Sequence, residues 1–595
     1  MSSQDLGPAG HDPYFGAGVV DVARLIDMEL PDLSLVIDSP PPGTLHDPAS
    51  GALLLKGRAE GRDLASVEIE VAQGLSTRGF EPIEAFGNSM TKFDAVASLD
   101  PGVLARWDTS NVPDGPYVIR VRARLVGGEV VDEHAVVGIE RNTPIRLSQG
   151  DRAVARPNLS ARQIVWQFKE AEAQENGVVN HDLAIGYFPE QRVRQRSFQR
   201  VPMALVEREG DQLNPISFGR EVAWAAPEGP VTMFERCRLE RGSRHCDPIP
   251  VSTQPGRYTN LQIGRDWLVW MRFDEGVNRL EGCRIGPKAA ACTPRPLIAS
   301  GDAEGWILKS YDGETLFLRR GLSEHARCRL TQDAGLCEPE IVSFSADSPN
   351  PTDLVHDGSL VAFKALGIEN RPPSGCSEVL AEVGCATRFV AVVRLHACWL
   401  SEGDPECDPI AIGPAVPIES FQGMDVSDRR VTWAVAEGVD RSAIHFCEFI
   451  SETQECAVQR VSGTLSPQRF PSIDSNRLVW EDGRLGPVVI FGLELPNIDA
   501  PRTVEARAGQ TFRAMIRGFA GAGEELRFEV EGIDGFTPDD ANASLVRIGS
   551  DEGFAILSGR IPRGTMGSAH WKLRAVGEGG LFSDHVMEIS VQSIK

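Results

Sequence analysis

"FERCRLERGSRHCDP" (residues 234–248) is the first of several stretches that share one design. An apolar segment carries a cysteine, a polar turn follows, and a second cysteine stands just before a proline. The same design recurs in "LEGCRIGPKAAACTP" (280–294), "HARCRLTQDAGLCEP" (325–339) and "LHACWLSEGDPECDP" (395–409). A spacing of nine residues accounts for all twelve cysteines of the chain, which form the pairs Cys237 and Cys246, Cys283 and Cys292, Cys328 and Cys337, Cys376 and Cys385, Cys398 and Cys407, and Cys447 and Cys456.

Each pair is predicted to form a structural disulfide within a β-hairpin. In an antiparallel hairpin an odd separation lets two residues face each other, at Cα distances of about 4.5–5.5 Å that suit a disulfide. Closing so short a loop stabilises a hairpin by about 2.5–3 kcal/mol. Zinc sites use cysteines about two to four residues apart, and the chain has no C-x-x-C redox motif. Six such pairs indicate an oxidising compartment, so we expect an extracellular or cell-surface protein.

An aromatic anchor residue precedes each hairpin, in segments such as "NPISFGREVAWA" (214–225) and "PSIDSNRLVWED" (471–482). Successive anchors lie 58, 46, 47, 46, 70 and 47 residues apart, and the longest interval holds an insertion with its own pair, Cys376 and Cys385. A repeat of about 40–50 residues with four short strands is typical of a β-propeller, so seven anchors predict seven blades. We interpret the anchors as core residues packed between blades: Trp166, Trp224, Trp270, Phe317, Phe363, Trp433 and Trp480.

The last repeat, "PSIDSNRLVWEDGRLGPVVIFGLELP" (471–496), stops one strand short. The segment "TPIRLS" (143–148), upstream of the first anchor, is predicted to supply the missing strand. Strands from both ends of the repeat region would then close the ring and remove its open edges.

Outside the repeats, apolar and polar residues alternate, as in "YVIRVRARL" (117–125) and "LRFEVEG" (526–532), which is typical of half-buried antiparallel strands. We therefore predict an all-β fold, with a seven-bladed β-propeller at residues 143–497 flanked by β-sandwiches at 29–142 and 498–595. The apolar stretch that begins at Val19 predicts a short helix within residues 1–28.

The composition excludes several classes of partner. A formal net charge of −24 argues against nucleic acid or an anionic membrane, and no apolar run is long enough to span a membrane. Residues 1–15 do not have the pattern of a signal peptide. The histidines show no metal-ligand spacing, and His356 and His445 are interpreted as surface strand residues. We predict no cofactor and no metal site.

The opening segment "DLGPAGHDPYFGAGVVDVARLI" (5–26) resembles the last motif of the catalytic domain of subtilisin-like serine proteases. The motif positions include Asp12, Gly16, Gly18 and Asp21. Residues 29–142 resemble the sandwich module that follows this domain in secreted bacterial subtilases, and "PNLSARQIVW" (157–166) resembles the blades of TolB-type propellers. The C-terminal module is loosely similar to cadherin-like and immunoglobulin-like domains.

The resemblance implies that residues 1–28 are the end of a catalytic domain whose body is absent from this chain. No histidine is followed by glycine, so the H-G-x-H motif of that family is missing, and neither G-x-S-x-G nor H-E-x-x-H occurs. The nearest serine motif, "RGTMGSAHW" (563–571), is predicted to be a loop, and Ser568 has no catalytic partners there.

We expect a non-catalytic binding and scaffolding region of a secreted subtilisin-like protease, with an upstream protease domain. It would tether the enzyme to an extracellular or envelope ligand, either protein or polysaccharide. The alternative is a freestanding extracellular propeller that binds a ligand and keeps a vestigial protease tail.

Overall fold

The computed structural model consists almost entirely of β-strands, and the described residues contain one short 3-10 helix, Ile418–Ser420. It describes most of residues 33–592, without segments that include 83–92, 95–101, 170–180, 189–202 and 372–387. Before residue 33 it describes Ser3–Gln4 and Val19–Val20. In this part of the chain, no helix has the length and apolar character needed to cross a membrane. The many four-stranded antiparallel sheets are consistent with the blades of a β-propeller.

Residues 145–494 of the described chain form successive sheets, which we number repeat sheets 1 to 7. Neighbouring strands of each sheet pair antiparallel, mostly in chain order. Sheets 1 to 4 contain Val154–Ser160, Gln163–Lys169, His181–Tyr187 and Met203–Val206; Leu213–Phe218, Glu221–Glu228, Val231–Arg238 and Ile249–Pro250; Arg257–Ile263, Trp267–Asp274, Val277–Arg284 and Arg295–Pro296; and Trp306–Tyr311, Thr315–Arg320, Glu324–Arg329 and Glu340–Phe344.

Sheet 6 is irregular, and sheet 7 takes a strand from upstream of sheet 1. Sheet 6 carries two short strands in place of a single fourth strand. Sheets 5 to 7 contain Pro351–Asp357, Leu360–Arg371, Arg388–Trp399 and Ile410–Pro417; Phe421–Ser427, Arg430–Gly438, Arg441–Ile450, Glu455–Cys456 and Gln459–Arg460; and Gln468–Asp474, Arg477–Asp482, Val489–Glu494 and Ile145–Arg146.

The strand that completes sheet 7 comes from "TPIRLS" (143–148), the segment predicted to supply it. Ile145 lies opposite Gly492 and Arg146 opposite Phe491 in an antiparallel ladder. Ser148 continues the contact, because its hydroxyl accepts a hydrogen bond from the backbone N–H of Ile490 at 2.8 Å. The two ends of the repeat region are therefore joined within one sheet.

Residues 33–139 form two sheets around one hydrophobic core. Trp107 from the first sheet meets Tyr117 from the second edge to face, with ring centroids 5.4 Å apart. The first sheet contains Leu33–Ser39, Leu53–Gly61 and Val103–Trp107; the second contains Thr44–His46, Val130–Ile139, Gly115–Leu125, Leu64–Gln73, Glu81–Pro82 and Phe93–Asp94.

Residues 497–592 also form two sheets around one core, which is centred on Trp571 and Phe512. The first contains Asn497–Asp499, Thr511–Phe519, Gly553–Arg560 and Ser544–Ile548; the second contains Thr503–Arg507, Phe582–Gln592, Gly567–Val576 and Arg527–Asp534. We call this unit the C-terminal domain.

The C-terminal domain is docked on repeat sheet 6. The Gln459 side-chain amide donates to the carbonyl of Phe582 at 3.0 Å, and its oxygen accepts from the Phe582 N–H at 2.7 Å. Nearby, the buried Arg430 guanidinium donates to Glu448 at 3.1 Å and to the carbonyl of Pro496 at 3.2 Å. These buried polar contacts fix how the C-terminal domain lies against the repeat sheets.

The N-terminal segment departs from the predicted helix. Val19 and Val20 pair antiparallel with Gln4 and Ser3, so these two residues belong to a strand. An apolar run as short as this one fits a strand as well as a helix. The motif residues Asp12, Gly16, Gly18 and Asp21, like the rest of residues 21–28, lie outside the described residues.

Candidate functional site

The seven aromatic anchors all lie on the second strands of the repeat sheets and are buried, none more than 5% exposed. Trp270 of sheet 3 packs into a cluster with Ala223, Phe234 and Val251 of sheet 2. Its indole Nε1 donates to Glu281 Oε2 at 3.3 Å, on the residue directly opposite in the ladder, and Trp224 makes the same bond to Glu235 at 3.1 Å. This environment is that of packing residues.

The described cysteine pairs are disulfide-bonded, with Cα–Cα distances of 5.5–5.7 Å: Cys237–Cys246, Cys283–Cys292, Cys328–Cys337, Cys398–Cys407 and Cys447–Cys456. Cys376 and Cys385 lie outside the described residues. Structural disulfides are typical of proteins from oxidising compartments.

The cysteines of a pair are not directly opposite each other across a ladder, contrary to the prediction. In sheet 6 the ladder places Cys456 opposite Phe449, whereas Cys447 is bonded to it as a disulfide. In sheets 2 and 3 the second cysteine precedes the fourth strand. In sheets 2 and 3 the polar turn leaves the ladder before the second cysteine is reached, whereas in sheet 6 the register places Cys456 opposite the residue two positions beyond Cys447.

Each disulfide instead lies at the seam with the preceding sheet. The backbone N–H of Cys337 in sheet 4 donates to the carbonyl of Leu297 in sheet 3 at 2.8 Å. After the third strand of sheet 5, the short strand Glu406–Cys407 pairs in parallel with the fourth strand of sheet 4 and so belongs to sheet 4. Cys237, Cys283 and Cys447 pack into hydrophobic clusters that contain residues of the sheet before their own. The disulfides therefore crosslink a loop that holds two neighbouring sheets together.

A recurring pair of hydrogen bonds joins neighbouring sheets near the turn after the first strand. Between sheets 4 and 5, Ser310 Oγ accepts from the N–H of His356 at 3.1 Å and Asp312 Oδ2 from that of Gly358 at 3.0 Å. Sheet 7 returns to sheet 1 in the same way. The equivalent donors and acceptors are Gly219 N to Ser160 Oγ, Asp428 N to Asp357 Oδ2, Ser475 N to Ser427 Oγ, and Ala161 N to Asp474 Oδ2.

These hydrogen bonds between neighbouring sheets, which we call the relay, place carboxylates close together at one face of the repeat sheets. We call this face the turn face. Burial raises the pKa of Asp357, and the negative charges of Asp428, Asp312 and Asp474 act in the same direction, while the N–H of Asp428 opposes them. Burial also raises the pKa of Asp425 to about 6, against the N–H bonds it accepts from Ile473 and Val426.

Sequence reasoning missed the relay, although a pattern for it exists. In four of the seven repeats, Ser, Asn or Asp residues stand two apart just before the turn, in "NLSA" (158–161), "SYDG" (310–313), "DVSD" (425–428) and "SIDS" (472–475). In sheets 2 and 3 the second of these two positions holds Phe218 and Gly264, which have no side-chain acceptor. A Cβ at Gly264 would lie 2.3 Å from the Cα of Gly313, so glycine is required there by close packing.

A cavity of about 880 Å³ opens at the turn face between repeat sheets 4 and 5. Its wall carries charges of both signs, including the ion pairs Arg327–Glu340 (2.6 Å) and Arg329–Glu314 (3.1 Å). Arg265 of sheet 3 is exposed at its edge and makes no ion pair among the described residues. The cavity is thus polar, with several donors and acceptors facing it.

His356 forms part of the cavity wall and is buried, which corrects its interpretation as a surface residue. Its ring packs against Phe317 with centroids 5.5 Å apart. Nε2 lies 3.5 Å from Asp312 Oδ2, and neither ring nitrogen has a hydrogen-bond partner among the described residues. Burial lowers the pKa of His356, against the charge of Asp312 and a weak backbone contact with Thr315 that both act to raise it, so burial favours the neutral imidazole.

His445 is likewise not a surface residue. Its ring stacks on Trp433 with centroids 5.6 Å apart, and burial lowers its pKa to about 4. Alternation within strands does not show which faces of a sheet are covered by neighbours, so sequence reasoning placed both histidines wrongly.

Ser568 lies on the strand Gly567–Val576, opposite Ser590, and not in a loop. Its side chain is exposed on a regular ladder, where the alternation of "GSAHWKL" places it on the outer surface. Among the described residues, no group of three or more His, Cys, Asp or Glu side chains is arranged to hold a metal ion.

No protein-family model matches the chain, and no curated protein matches it at a significant level. Solved structures with similarity to it include the β-propeller domain of the trilobed protease from Pyrococcus furiosus, at 8% identity and a TM-score of 0.30 over 58% of this chain and 95% of that one. The tricorn protease is 9% identical with a TM-score of 0.27, over 80% of this chain and 51% of that chain. A post-proline cleaving enzyme from Rickettsia typhi is 8% identical with a TM-score of 0.33, over 72% and 57%.

Proposed function

We propose that this chain is the non-catalytic binding and scaffolding region of a secreted subtilisin-like serine protease. In this proposal repeat sheets 1 to 7 are the blades of one TolB-type propeller at residues 143–497, flanked by immunoglobulin-like sandwiches. The polar cavity at the turn face binds an extracellular or envelope ligand. The observation that carries the binding role is the buried His356 side chain, whose ring nitrogens lack hydrogen-bond partners among the described residues on the wall of that cavity.

The cavity has features of a ligand site. Ligand pockets commonly measure about 300–1,000 Å³ and contain a few placed polar groups on a pre-formed frame. Here the frame is fixed by the hydrogen bonds that Ser310 and Asp312 accept from the backbone of the next sheet. An unpartnered buried polar group costs about 1–3 kcal/mol, a cost that a ligand hydrogen bond would remove.

Replacing the imidazole should separate binding from stability. We expect His356→Phe to keep the packing on Phe317, to leave the unfolding temperature unchanged or higher, and to weaken ligand binding about fivefold or more by removing a hydrogen bond. Binding is measured by screening the labelled full chain on oligosaccharide and peptide arrays, then titrating the best ligand.

The matched control is His396→Phe, because His396 is also mostly buried and stacks on Phe363 but does not line the cavity. It should leave ligand affinity unchanged. If both variants bind the ligand as tightly as the natural chain, the cavity is not the binding site.

The protease assignment rests on the motif at residues 5–26, and the strand at Val19–Val20 favours the alternative of a freestanding binding protein. The two are separated by the mass of the native secreted protein and its labelling by a fluorophosphonate, which reacts with activated serines. We expect a labelled species well above 64.7 kDa in the producing organism and no labelling of the isolated chain. An unlabelled native species of 64.7 kDa would favour the alternative, and labelling of the isolated chain would contradict the non-catalytic role.

A further inference from the structure

The outward face of one sheet in the C-terminal domain combines exposed apolar and cationic side chains. Met515 lies directly opposite Ile556, which in turn lies opposite Val546, so three apolar side chains form a row across three strands. Met515 is 64% and Val546 57% exposed. This row has no covering element among the described residues.

Arginines flank the row on both sides. Arg513 and Arg517 lie two residues before and after Met515 on the same strand, so their side chains leave the same face about 7 Å from it on either side. Arg560 follows at the end of the neighbouring strand, and its Nε donates to the carbonyl of Gly509 at 3.2 Å. We call this set of residues, with Met515, Ile556 and Val546, the arginine face.

The guanidinium of Arg517 lies over two aromatic rings, at 4.5 Å from the centroid of Phe519 and 5.2 Å from that of Phe554. Such stacking holds the planar group in place while its N–H donors stay available at the edge. Neither Arg513 nor Arg517 makes an ion pair among the described residues, and the carboxylate on this face of the described sheet is Asp499, opposite Arg517. The face is cationic on a chain whose net charge is −24.

Its dimensions favour a chain-like ligand over a protein. Three strands about 4.8 Å apart and a span of about 14 Å from Arg513 to Arg517 give roughly 140 Å². A stable protein interface buries about 800 Å² on each partner. A narrow apolar row between cationic side chains matches a polymer that offers apolar ring faces and repeated negative charges.

We propose that the arginine face binds an anionic polysaccharide, with its sulfate or carboxylate groups on the arginines and its sugar rings on Met515, Ile556 and Val546. This is a second binding surface, on a different domain from the cavity of the proposed function. It gives the chain a means of adhering to an acidic extracellular matrix or envelope polymer.

The test measures binding of the full chain to immobilised heparin, which is sulfated, and to alginate, which is carboxylated, with neutral dextran as a blank. We expect binding to at least one of the two that weakens between about 50 and about 300 mM salt. The triple variant Arg513→Gln, Arg517→Gln, Arg560→Gln should lose about tenfold or more in affinity.

The control triple variant, Arg106→Gln, Arg257→Gln, Arg284→Gln, removes the same charge from exposed arginines elsewhere and should bind like the natural chain. Equal loss in both triple variants, or no binding to either polymer, would overturn the proposal. Equally tight binding to poly-L-glutamate would also overturn it, in favour of an acidic polypeptide. Loss confined to His356→Phe would assign the polymer to the cavity instead.

Discussion

Reducing the disulfides is expected to unfold repeat sheets 2 to 6 while sheet 7 keeps its structure. Each described disulfide joins residues nine apart and contributes about 2.7 kcal/mol by restricting the unfolded chain. Five such contributions are comparable to the whole free energy of unfolding of an ordinary domain, about 5–15 kcal/mol. Sheet 7 contains no cysteine and serves as an internal reference, whereas sheet 1 packs against Cys237 and should lose protection along that seam. Hydrogen–deuterium exchange with and without reductant measures the protection of each sheet.

The contacts between a disulfide and the preceding sheet predict where the effect of its removal should appear. In sheet 3, Cys292 Sγ lies 3.9 Å from the carbonyl of Val251 in sheet 2. The double variant Cys283→Ala, Cys292→Ala should therefore raise exchange in the fourth strand of sheet 2 as well as in sheet 3. A rise limited to residues 277–296 would mean that the disulfide supports only its own hairpin, and a uniform rise over the chain would contradict the seam role.

Much of the repeat region follows from its sequence because the determining patterns are local. The apolar run ending at Trp480 indicates the second strand of sheet 7, Arg477–Asp482, which neighbouring sheets cover on both faces. Five of the six residues of this strand are buried. The spacing of these runs sets the length of the repeat. Strand register does not follow from these local patterns, because the position of Cys456 opposite Phe449 depends on where the turn ends.

The candidate site could not be located in the same way. The cavity joins Arg265, Asp312 and His356, which lie on three different sheets and meet only after those sheets are packed side by side. Neither spacing nor alternation indicates that His356 is buried without a hydrogen-bond partner. What the sequence does contain is the pair of acceptors before the turn in four of the repeats, and their role depends on a donor in the next repeat.

Truncating an aromatic anchor residue should lower the stability of the repeat region more than the other single substitutions. Trp270 is completely buried in the seam with sheet 2, and its removal leaves a large cavity and takes away one hydrogen bond of Glu281, which keeps its ion pair with Arg272 at 3.4 Å. We expect Trp270→Ala to lower the free energy of unfolding by about 4 kcal/mol. Trp270→Phe should cost about half as much, because the ring is kept and the Nε1 hydrogen bond is lost. Calorimetric unfolding of the full chain measures both.

The control is Phe389→Ala on the long hairpin of sheet 5, where the ring is 81% exposed and its removal should change stability by less than about 0.5 kcal/mol. A loss below about 1 kcal/mol for Trp270→Ala would show that the seam repacks around the missing indole. The anchors would then not be what holds the sheets together. The side-chain relay from Asn158 to Asp474 at the turn face, together with the disulfides, would have to supply that cohesion.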